Sequence, residues 1–376
     1  MALAIERMGA GLMDSRERFA RAMAHEEPDR VPIDYWATSE ISGRLRERLG
    51  FTSQEALLDH FDVDFRYIEG PRYIGPEPTV HPDGSVEDAW GVPRVRVEVG
   101  SGERTGAYRD VLNSPLEHAT TLEEIRDYPK WPSPDWYDYD CVADQVAAAR
   151  RLGKVVVFSG DRTNRCAQLK PAMYIRGVAR ILQDMAVKPE IAEYLFGRIS
   201  AFYVEYARRT FEAAGDGLDL FMTGDDFGTQ ENLFMSPAMW RRFLEPGFRA
   251  FVALGRRHGY KVMHHTCGSV KAIIPDMIAC GLDILNPVQP DVRDMDRVEL
   301  KRTFGDRLCF HGSVSIQKTL PFGTPEEIRR EVRERFEALG PGGGFIFCTA
   351  HNIQVDTPLE NVEVLFDAYR ELGRYR

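Results

Sequence analysis

Short apolar runs recur along the chain, separated by stretches that are long enough to hold a helix. Eight runs have this character: 31–36, 64–69, 154–159, 218–223, 260–265, 282–287, 307–312 and 344–349. Apolar runs without strict alternation are typical of parallel strands that are covered on both faces. Eight such strands alternating with helices predict an α/β protein, a (β/α)8 TIM barrel. An open doubly wound sheet fits less well, because no strand leads into a Gly-x-Gly-x-x-Gly loop.

Several helix starts can be read from the sequence. Ser236, Thr324 and Thr357 each precede a proline, which favours the first position of a helix while the preceding hydroxyl caps it. Glu327 lies three residues after Thr324, and Glu360 lies three residues after Thr357. Both threonines are therefore predicted to form capping boxes.

One long segment departs from the alternation of strands and helices. Between the second and third predicted strands, residues 71–150 combine strand-like alternation, turn dipeptides and a stretch rich in Pro, Trp and Tyr. A structureless loop of that length would be unusual in a compact domain. We therefore predict a single domain over 1–376, with a hairpin or lid insertion at 71–150 that covers the barrel mouth.

Composition and charge narrow the class of protein. The chain has 376 residues, of which 43% are hydrophobic and 28% charged, as in soluble globular proteins. Its net charge is -10 and its basic residues are scattered, so neither nucleic acid nor a membrane is an expected partner. The first residues lack the apolar core of a signal peptide, and the six cysteines are too sparse for a disulfide framework. A cytoplasmic protein with reduced thiols is expected.

Polar side chains gather where the predicted strands end. The carboxyl ends of the strands carry the active site of a (β/α)8 barrel, so residues from different strands meet there. The polar and aromatic residues at these ends are Asp34, Tyr35, Trp36, Glu69, Asp161, Arg162, Asp225, Asp226, Gln230, His265, Cys267, Asn286, Gln289, His311, Cys348, His351, Asn352 and Gln354. Their concentration at one end of the barrel predicts a functional site.

The motif HHTCG, residues 264–268, combines two kinds of metal ligand. In an extended chain residues i and i+2 share a face, so His265 and Cys267 are predicted to point into the barrel mouth. Imidazole and thiolate are both favourable zinc ligands. The last strand adds Cys348 and His351, and one of them could complete three ligands with an open position, as in catalytic zinc sites.

Structural roles for some of these residues stay open. Asp225 or Asp226 could cap the turn after the fourth strand, and a lone histidine such as His311 is often a hydrogen-bonded layer residue. Arg162 could pair with a carboxylate across the barrel mouth. His264 lies on the opposite face of its strand from the next histidine, so it is predicted to face the helices and to be structural.

Five long segments carry a family resemblance. They are RERFARAMAHEEPDRVPIDYW, GDDFGTQENLFMSPAMWRRFLEP, HHTCGSVKAIIPDMIACGLDILNPVQP, FGDRLCFHGSVSIQKTLPFGTPEEI and GGGFIFCTAHNIQVDTPLENVEVLFDAY. These segments are distributed over nearly the whole length of the chain. In them the chain resembles the uroporphyrinogen decarboxylase superfamily. It is most similar to the branch of corrinoid-dependent methyltransferases. The resemblance implies a (β/α)8 barrel with its site at the strand carboxyl ends.

The methyltransferase branch implies a metal and its ligands. In that branch a His-x-Cys pair and a later cysteine bind zinc, which activates a thiol to accept a methyl group from a methyl-corrinoid. His265 and Cys267 match the first two ligands. His351 falls at the position of the third, with Cys348 three residues earlier, so the resemblance leaves the third ligand of the Zn²⁺ ion open between them.

The leading prediction is a zinc-dependent methyltransferase or demethylase that acts between a small methylated compound or thiol and a corrinoid (cobalamin). The corrinoid is expected on a separate protein, because the sequence shows no corrinoid-binding motif, and the resemblance suggests a homodimer. The residues predicted to act beside the metal are Asp225, Asp226 and His311 in catalysis, and Tyr35, Trp36, Gln230, Asn286 and Gln289 in contact with substrate or cofactor.

Two other functions compete with this prediction. The decarboxylases of the superfamily bind an acidic porphyrinogen without a metal, through an arginine-rich motif after the first strand. The matching stretch here, DYWATSEISGR, has no arginine before Arg44, so a carboxylated tetrapyrrole would lack its clamp. His351 also matches a histidine of the decarboxylases and does not separate the two activities. A non-catalytic binding barrel is the third alternative, and it would tolerate alanine at both His265 and Cys267.

Overall fold

The computed structural model describes residues 13–102, 104–160 and 166–375. Its strands are β1 (Phe65–Ile68), β2 (Arg72–Tyr73), β3 (Val86–Glu87), β4 (Pro93–Ser101), β5 (Arg104–Val111), β6 (Tyr137–Asp138), β7 (Val155–Phe158), β8 (Leu220–Gly224), β9 (Lys261–His265), β10 (Ile284–Asn286), β11 (Cys309–Val314) and β12 (Phe345–Thr349). Seven of them form a parallel sheet in the order β1–β7–β8–β9–β10–β11–β12. These seven confirm the second to eighth predicted strands.

The segment before β1 closes the barrel without forming a regular strand. In β12, the N–H of Phe347 donates to Pro32 O (2.8 Å) and its carbonyl accepts from Asp34 N (2.9 Å). On the other side, Asp64 N donates to Ile33 O (2.9 Å). The prediction of a regular first strand is wrong, because Pro32 has no N–H to donate and Ile33 N bonds the Asp64 side chain instead (2.9 Å). The (β/α)8 barrel itself is confirmed.

Helices occupy most of the connections between the strands. They are α1 (Ser15–Met23), α2 (Ser39–Leu49), α3 (Gln54–His60), α4 (Leu122–Arg126), α5 (Cys141–Arg151), α6 (Leu169–Arg176), α7 (Val178–Val187), α8 (Pro189–Ala214), α9 (Pro237–Phe243), α10 (Glu245–Arg257), α11 (Ile274–Ala279), α12 (Arg297–Phe304), α13 (Thr319–Phe322), α14 (Pro325–Leu339) and α15 (Leu359–Leu372). Within the described ranges, none of these helices is both long enough and apolar enough to cross a membrane.

The helix caps confirm two of the three predicted starts. Ser236 caps α9, and Thr324 forms a full capping box with Glu327 at the start of α14. The capping box predicted at Thr357 is wrong. Helix α15 begins one residue later than expected, so Pro358 takes the N-cap position, and proline has no hydroxyl to accept a backbone N–H.

Alternation along the strands separates the barrel interior from the layer under the helices. The apolar strand residues of the interior are Phe65, Val155, Val157, Leu220, Met222, Met263, Ile284, Cys309, Ile346 and Cys348. Helix α1 adds Phe19, Ala22 and Met23 to the same cluster. Since Ala22 O accepts from Gly344 N just before β12 (3.0 Å), α1 covers the amino-terminal end of the barrel. The interior is therefore apolar at that end, and polar side chains enter it towards the carboxyl end.

The connection between β1 and β7 contains two small antiparallel sheets, β3–β4–β5 and β2–β6. The β4–β5 hairpin lies beside the loop after β12, since a Cβ on Gly106 would come 2.9 Å from Val355 Cγ1. Arg94 of β4 lies over the Tyr174 ring of α6 at 4.3 Å. The predicted insertion, 71–150, also includes most of α5, which contacts β1 and β7 as a crossover helix. That the hairpin covers the mouth, and that the whole chain forms one domain, stay predictions.

Candidate metal centre

Three side chains with metal-ligating atoms meet at the carboxyl end of the barrel. His265 is the last residue of β9, Cys267 lies two residues beyond it, and His351 lies in the loop after β12. Their ligand atoms all lie within 4.8 Å of one another, and Cys267 Sγ is 3.4 Å from His265 Nε2. A sulfur and a nitrogen bound to one tetrahedral zinc ion at the usual bond lengths stand about 3.6 Å apart. The donor set and its spacing therefore fit zinc.

Cys348 belongs to a different group of side chains. It lies on the interior face of β12, only 2% exposed, and its thiol is within 4.8 Å of ligand atoms of Asp34 and His311. Burial, with a further contribution from the Asp34 charge, raises the pKa of this thiol well above its ordinary value. A metal needs the thiolate, which such an environment disfavours. The structure thus brings His351, and not Cys348, to the His-x-Cys pair.

Side chains from the two neighbouring strands hold the turn after β9. The N–H of Cys267 donates to Asp226 Oδ1 after β8 (2.9 Å), and the N–H of Gly268 donates to Gln289 Oε1 after β10 (2.8 Å). Gly268 has φ +92°, and a Cβ there would lie 2.4 Å from the backbone of Gly228. Only glycine fits this turn. The glycine of HTCG therefore helps to set the direction of the two ligands before it.

Asp226 places a negative charge beside the candidate ligands. Its Oδ2 lies 2.7 Å from Nζ of Lys170, in α6, and its Oδ1 lies 3.8 Å from His265 Nε2. Burial opposes ionisation of this carboxyl, but the electrostatic influence of the neighbouring His265 and Lys170 side chains outweighs it and holds the pKa of Asp226 well below its usual range. Lys170 was not among the predicted residues, because nothing in its local sequence marks it as part of a site.

Asp225 is used by the fold. Its carboxylate accepts the backbone N–H groups of Gln168, Leu169 and Lys170 at 2.6 to 2.7 Å, at the start of α6. Burial raises the pKa of Asp225 to about 6, against the opposite effect of these three donors. The structure therefore gives this residue the capping role considered from the sequence, although it caps a helix from a different connection. Its predicted catalytic role stays untested.

Replacing Asp225 by alanine is expected to lower the free energy of unfolding by about 1–3 kcal/mol, because buried N–H donors would lose their acceptor. Urea unfolding well above the pKa of Asp225 measures the difference. Asp225→Asn is the matched control, since its amide oxygen can still accept, and it should lose less stability than the alanine variant. An alanine variant as stable as the native chain would contradict the capping role.

A buried polar layer adjoins the candidate ligands inside the barrel. Trp36 packs between His265 and His311, with ring centroids 5.6 and 5.4 Å away. Asn286 bonds both histidines through its amide, and Tyr67 donates its hydroxyl to Asp34, the residue that also contacts His311. Of the residues predicted to surround the metal, the structure brings Trp36, Asn286 and His311 together here. Tyr67 was missed, although the alternation in DFRYIE places it on the interior face.

Two of the predicted contact residues lie away from this group. Tyr35 packs against Phe61 and Phe366, with ring centroids 6.1 and 5.9 Å away, outside the barrel interior, because it follows Asp34 on the opposite face. Gln230 is exposed, and its carbonyl accepts a backbone N–H from Arg293 (2.9 Å). The structure gives neither of them a contact with the candidate ligands.

The remaining predictions near the strand ends have mixed outcomes. His264 faces the helices, as expected, since its ring stacks on Phe227 and meets Phe248 of α10 at 4.8 Å. Its orientation is therefore confirmed. Asp161 and Arg162, predicted at the end of the third strand, lie outside the described residues.

Fold and site together define an enzyme class: a (β/α)8 barrel with polar and metal-ligating side chains at the carboxyl ends of its strands. The family described as Uroporphyrinogen decarboxylase (URO-D) matches residues 125–372, more than half of the chain. The chain belongs to the uroporphyrinogen decarboxylase family. The resemblance to this superfamily that was seen in the sequence is thereby confirmed.

Individual relatives include two kinds of enzyme. Methylcobamide:CoM methyltransferase MtaA of Methanosarcina barkeri is 32% identical over 168 residues, 45% of either chain, so the chain spans less than half of that relative. Uroporphyrinogen decarboxylase of Pseudoalteromonas translucida is 36% identical over 261 residues, 68% of this chain and 70% of that one. Among solved structures, a methyltransferase from Methanosarcina mazei has a TM-score of 0.65 at 20% identity and covers 96% of this chain and 99% of its own. That likeness shows the same fold.

Proposed function

We propose that the chain is a zinc-dependent methyltransferase that moves a methyl group between a small methylated compound or thiol and a corrinoid. The observation that carries the proposal is the group of His265, Cys267 and His351, with ligand atoms within 4.8 Å of one another. Three protein ligands leave the fourth position of a tetrahedral zinc ion for a substrate. The methyltransferase relative, whose name joins a methylcobamide with CoM, supports the same reaction class.

In this proposal zinc, when bound, supplies a Lewis acid that lowers the pKa of a coordinated thiol. The chain itself holds and orients the reacting group. Trp36 packs against His265 on the interior side, which leaves the barrel mouth as the side from which a substrate enters. Asp226, ionised and paired with Lys170, keeps the Cys267 N–H in place and adds a negative charge that favours a cation at this point.

The partners follow from the same reaction. We propose a separate protein as the carrier of the corrinoid and a small molecule as the methyl donor or acceptor. The methylcobamide in the name of the MtaA relative supports the corrinoid part of this proposal. A homodimer, a cytoplasmic location and the absence of a nucleic-acid partner remain predictions from the sequence.

Removal of the metal tests the proposed activity. The purified chain is incubated with methylcobalamin and a panel of small thiols, and methyl transfer is followed by the absorbance of methylcobalamin and by mass spectrometry of the thiol. We expect transfer that stops on chelation and returns with zinc. Magnesium should not restore it, because Mg²⁺ prefers oxygen ligands in octahedral geometry. Absence of transfer to every thiol, or transfer that survives chelation, would overturn the proposal.

Decarboxylation of a carboxylated tetrapyrrole is the second candidate. The decarboxylase relative favours it, since it is 36% identical over 68% of this chain. The segment after Trp36 argues against it, because Arg44, the first arginine there, directs its side chain to the carbonyl of Val355 (3.4 Å). Release of CO₂ from uroporphyrinogen by the metal-free chain, with no methyl transfer, would favour decarboxylation over the leading proposal.

A further inference from the structure

Four side chains form one hydrogen-bonded row from the barrel interior to the candidate metal centre. Asp34 Oδ2 lies 3.0 Å from His311 Nε2, and His311 Nδ1 lies 2.5 Å from Asn286 Nδ2. At the other end of the amide, Asn286 Oδ1 lies 2.5 Å from His265 Nδ1. His265 Nε2, the remaining nitrogen of that ring, faces Cys267 Sγ at 3.4 Å. The row therefore ends at the atom that would bind the metal.

Asp34 is fixed as an acceptor at the start of this row. Its Oδ1 accepts the N–H of Tyr35 (2.7 Å), and its Oδ2 accepts from Trp36 Nε1 (3.0 Å) and the Tyr67 hydroxyl (2.6 Å). Indole N–H is donor only, and Trp36 also donates to the Tyr67 oxygen (2.9 Å), so the tyrosine proton points to Asp34. Because Asp34 Oδ2 already accepts from these two donors, it acts as an acceptor towards His311 as well, and His311 must therefore present an N–H to it.

The direction of every later bond follows from that first one. A neutral imidazole carries one proton, so His311 with a proton on Nε2 has a bare Nδ1, which accepts from Asn286 Nδ2. The amide then turns its oxygen to His265, whose Nδ1 must donate. The proton of His265 is thus held on Nδ1, and the lone pair of the ring lies on Nε2, the nitrogen that faces Cys267 Sγ.

We propose that Asp34, acting through His311 and Asn286, fixes the tautomer of His265 that binds metal. The inference rests on the proposed role of His265 as a zinc ligand and names three positioning residues for it. A bond from the second ring nitrogen of a ligating histidine orients the ring, and loss of such partners typically weakens metal binding by about 10- to 100-fold. In this chain the partner of His265 Nδ1 is the amide of Asn286, and Asp34 sets the orientation of that amide through His311.

The same side chains offer another arrangement. Asp34, His311 and Cys348 have ligand atoms within 4.8 Å of one another and could hold a second metal ion. The hydrogen bonds already present speak for the row, because Asp34 Oδ2 accepts three donors and His311 uses both of its nitrogens. Metal content of the native chain separates the two arrangements: one zinc per chain agrees with the row, and two would overturn it.

The decisive experiment reads the ring protons directly in the metal-free chain. Histidine is labelled with ¹⁵N, and two-bond ¹H–¹⁵N correlation spectra are recorded at a pH where the rings are neutral. We expect a protonated Nδ1 and a bare Nε2 at His265, and the opposite pattern at His311. A proton on Nε2 of His265 would overturn the inference. The result needs neither zinc nor a methyl donor, so it stands apart from failure of the proposed function.

Substitutions then test the direction of control. In Asp34→Asn the side chain can either accept or donate, so His265 should become a mixture of tautomers and zinc affinity should fall about 10- to 100-fold. Tyr67→Phe is the matched control: it also removes a bond to Asp34, but it leaves the acceptor facing His311, so the His265 pattern should persist. Unchanged tautomer and affinity in Asp34→Asn would overturn the inference.

A second variant covers failure of Asp34→Asn to fold. In Asn286→Asp both carboxylate oxygens accept, so His265 should keep its proton on Nδ1 while His311 gains a proton on its own Nδ1. The spectrum of His311 would then show both ring nitrogens protonated. Loss of the Nδ1 proton from His265 in this variant would contradict the proposed chain of bonds.

Discussion

Replacing Cys267 by serine is expected to remove the bound zinc and to slow methyl transfer on the order of 10³-fold, the effect of losing about 4 kcal/mol of Lewis-acid stabilisation. A thiolate is a strong zinc ligand, whereas a serine hydroxyl stays protonated and binds zinc weakly. The backbone N–H that bonds Asp226 is retained, so the turn after β9 should fold as before. Zinc per chain by mass spectrometry and kcat/KM for methylcobalamin measure the two effects.

Cys141→Ser is the matched control for that substitution. Cys141 is also partly exposed, but its thiol lies 3.4 Å from Asp138 O and 3.7 Å from Gly70 O, at the start of α5. The same sulfur-to-oxygen change there should leave zinc content and rate unchanged. A Cys267→Ser variant that keeps both its zinc and its rate would remove Cys267 from the site and with it the observation on which the proposed function depends.

The seven regular barrel strands were predictable from the sequence because each is a buried, mostly apolar run between long polar segments. The first predicted strand failed for a local reason, since Pro32 lacks a donor and a distant carboxylate, Asp64, takes the N–H of Ile33. At the other end of the chain, α15 begins one residue later than expected, so Pro358 and not Thr357 is its N-cap. The hydrophobic pattern reports neither which distant side chain reaches the backbone of the first segment nor at which residue α15 begins.

The positions of the strand ends and the alternation of side chains along a strand predicted which residues lie at the site. His265 and Cys267 share a face because they are two residues apart, and this follows from the geometry of a strand alone. Other contacts of the site join residues from different strands and connections of the barrel. Examples are the capping of α6 by Asp225, the ion pair of Asp226 with Lys170 and the hydrogen bond between Asn286 and His265. Their partners have no fixed distance along the chain, so the sequence could name the residues and not their contacts.

The third ligand gives the second large effect. His351→Ala is expected to weaken zinc binding by more than the roughly 10- to 100-fold typical of residues outside the ligand set, and to lower kcat/KM accordingly. The reason is geometric: His351 has a ring nitrogen within 4.8 Å of the ligand atoms of His265 and Cys267, and the two histidine rings are 5.4 Å apart. Competition with a chromophoric zinc chelator measures the affinity of each variant.

Cys348→Ser is the comparison variant for His351→Ala, because the sequence left His351 and Cys348 open as the third ligand. The Cys348 thiol lies on the interior face of β12, where burial raises its pKa well above the ordinary value and favours the neutral thiol. Serine can occupy a similar volume there, so zinc affinity should change far less than in His351→Ala. The reverse order, with zinc lost from Cys348→Ser and kept by His351→Ala, would make Cys348 the third ligand. The end of β12 itself would then have to rearrange on binding metal, since the strand holds that thiol beside Asp34 and His311.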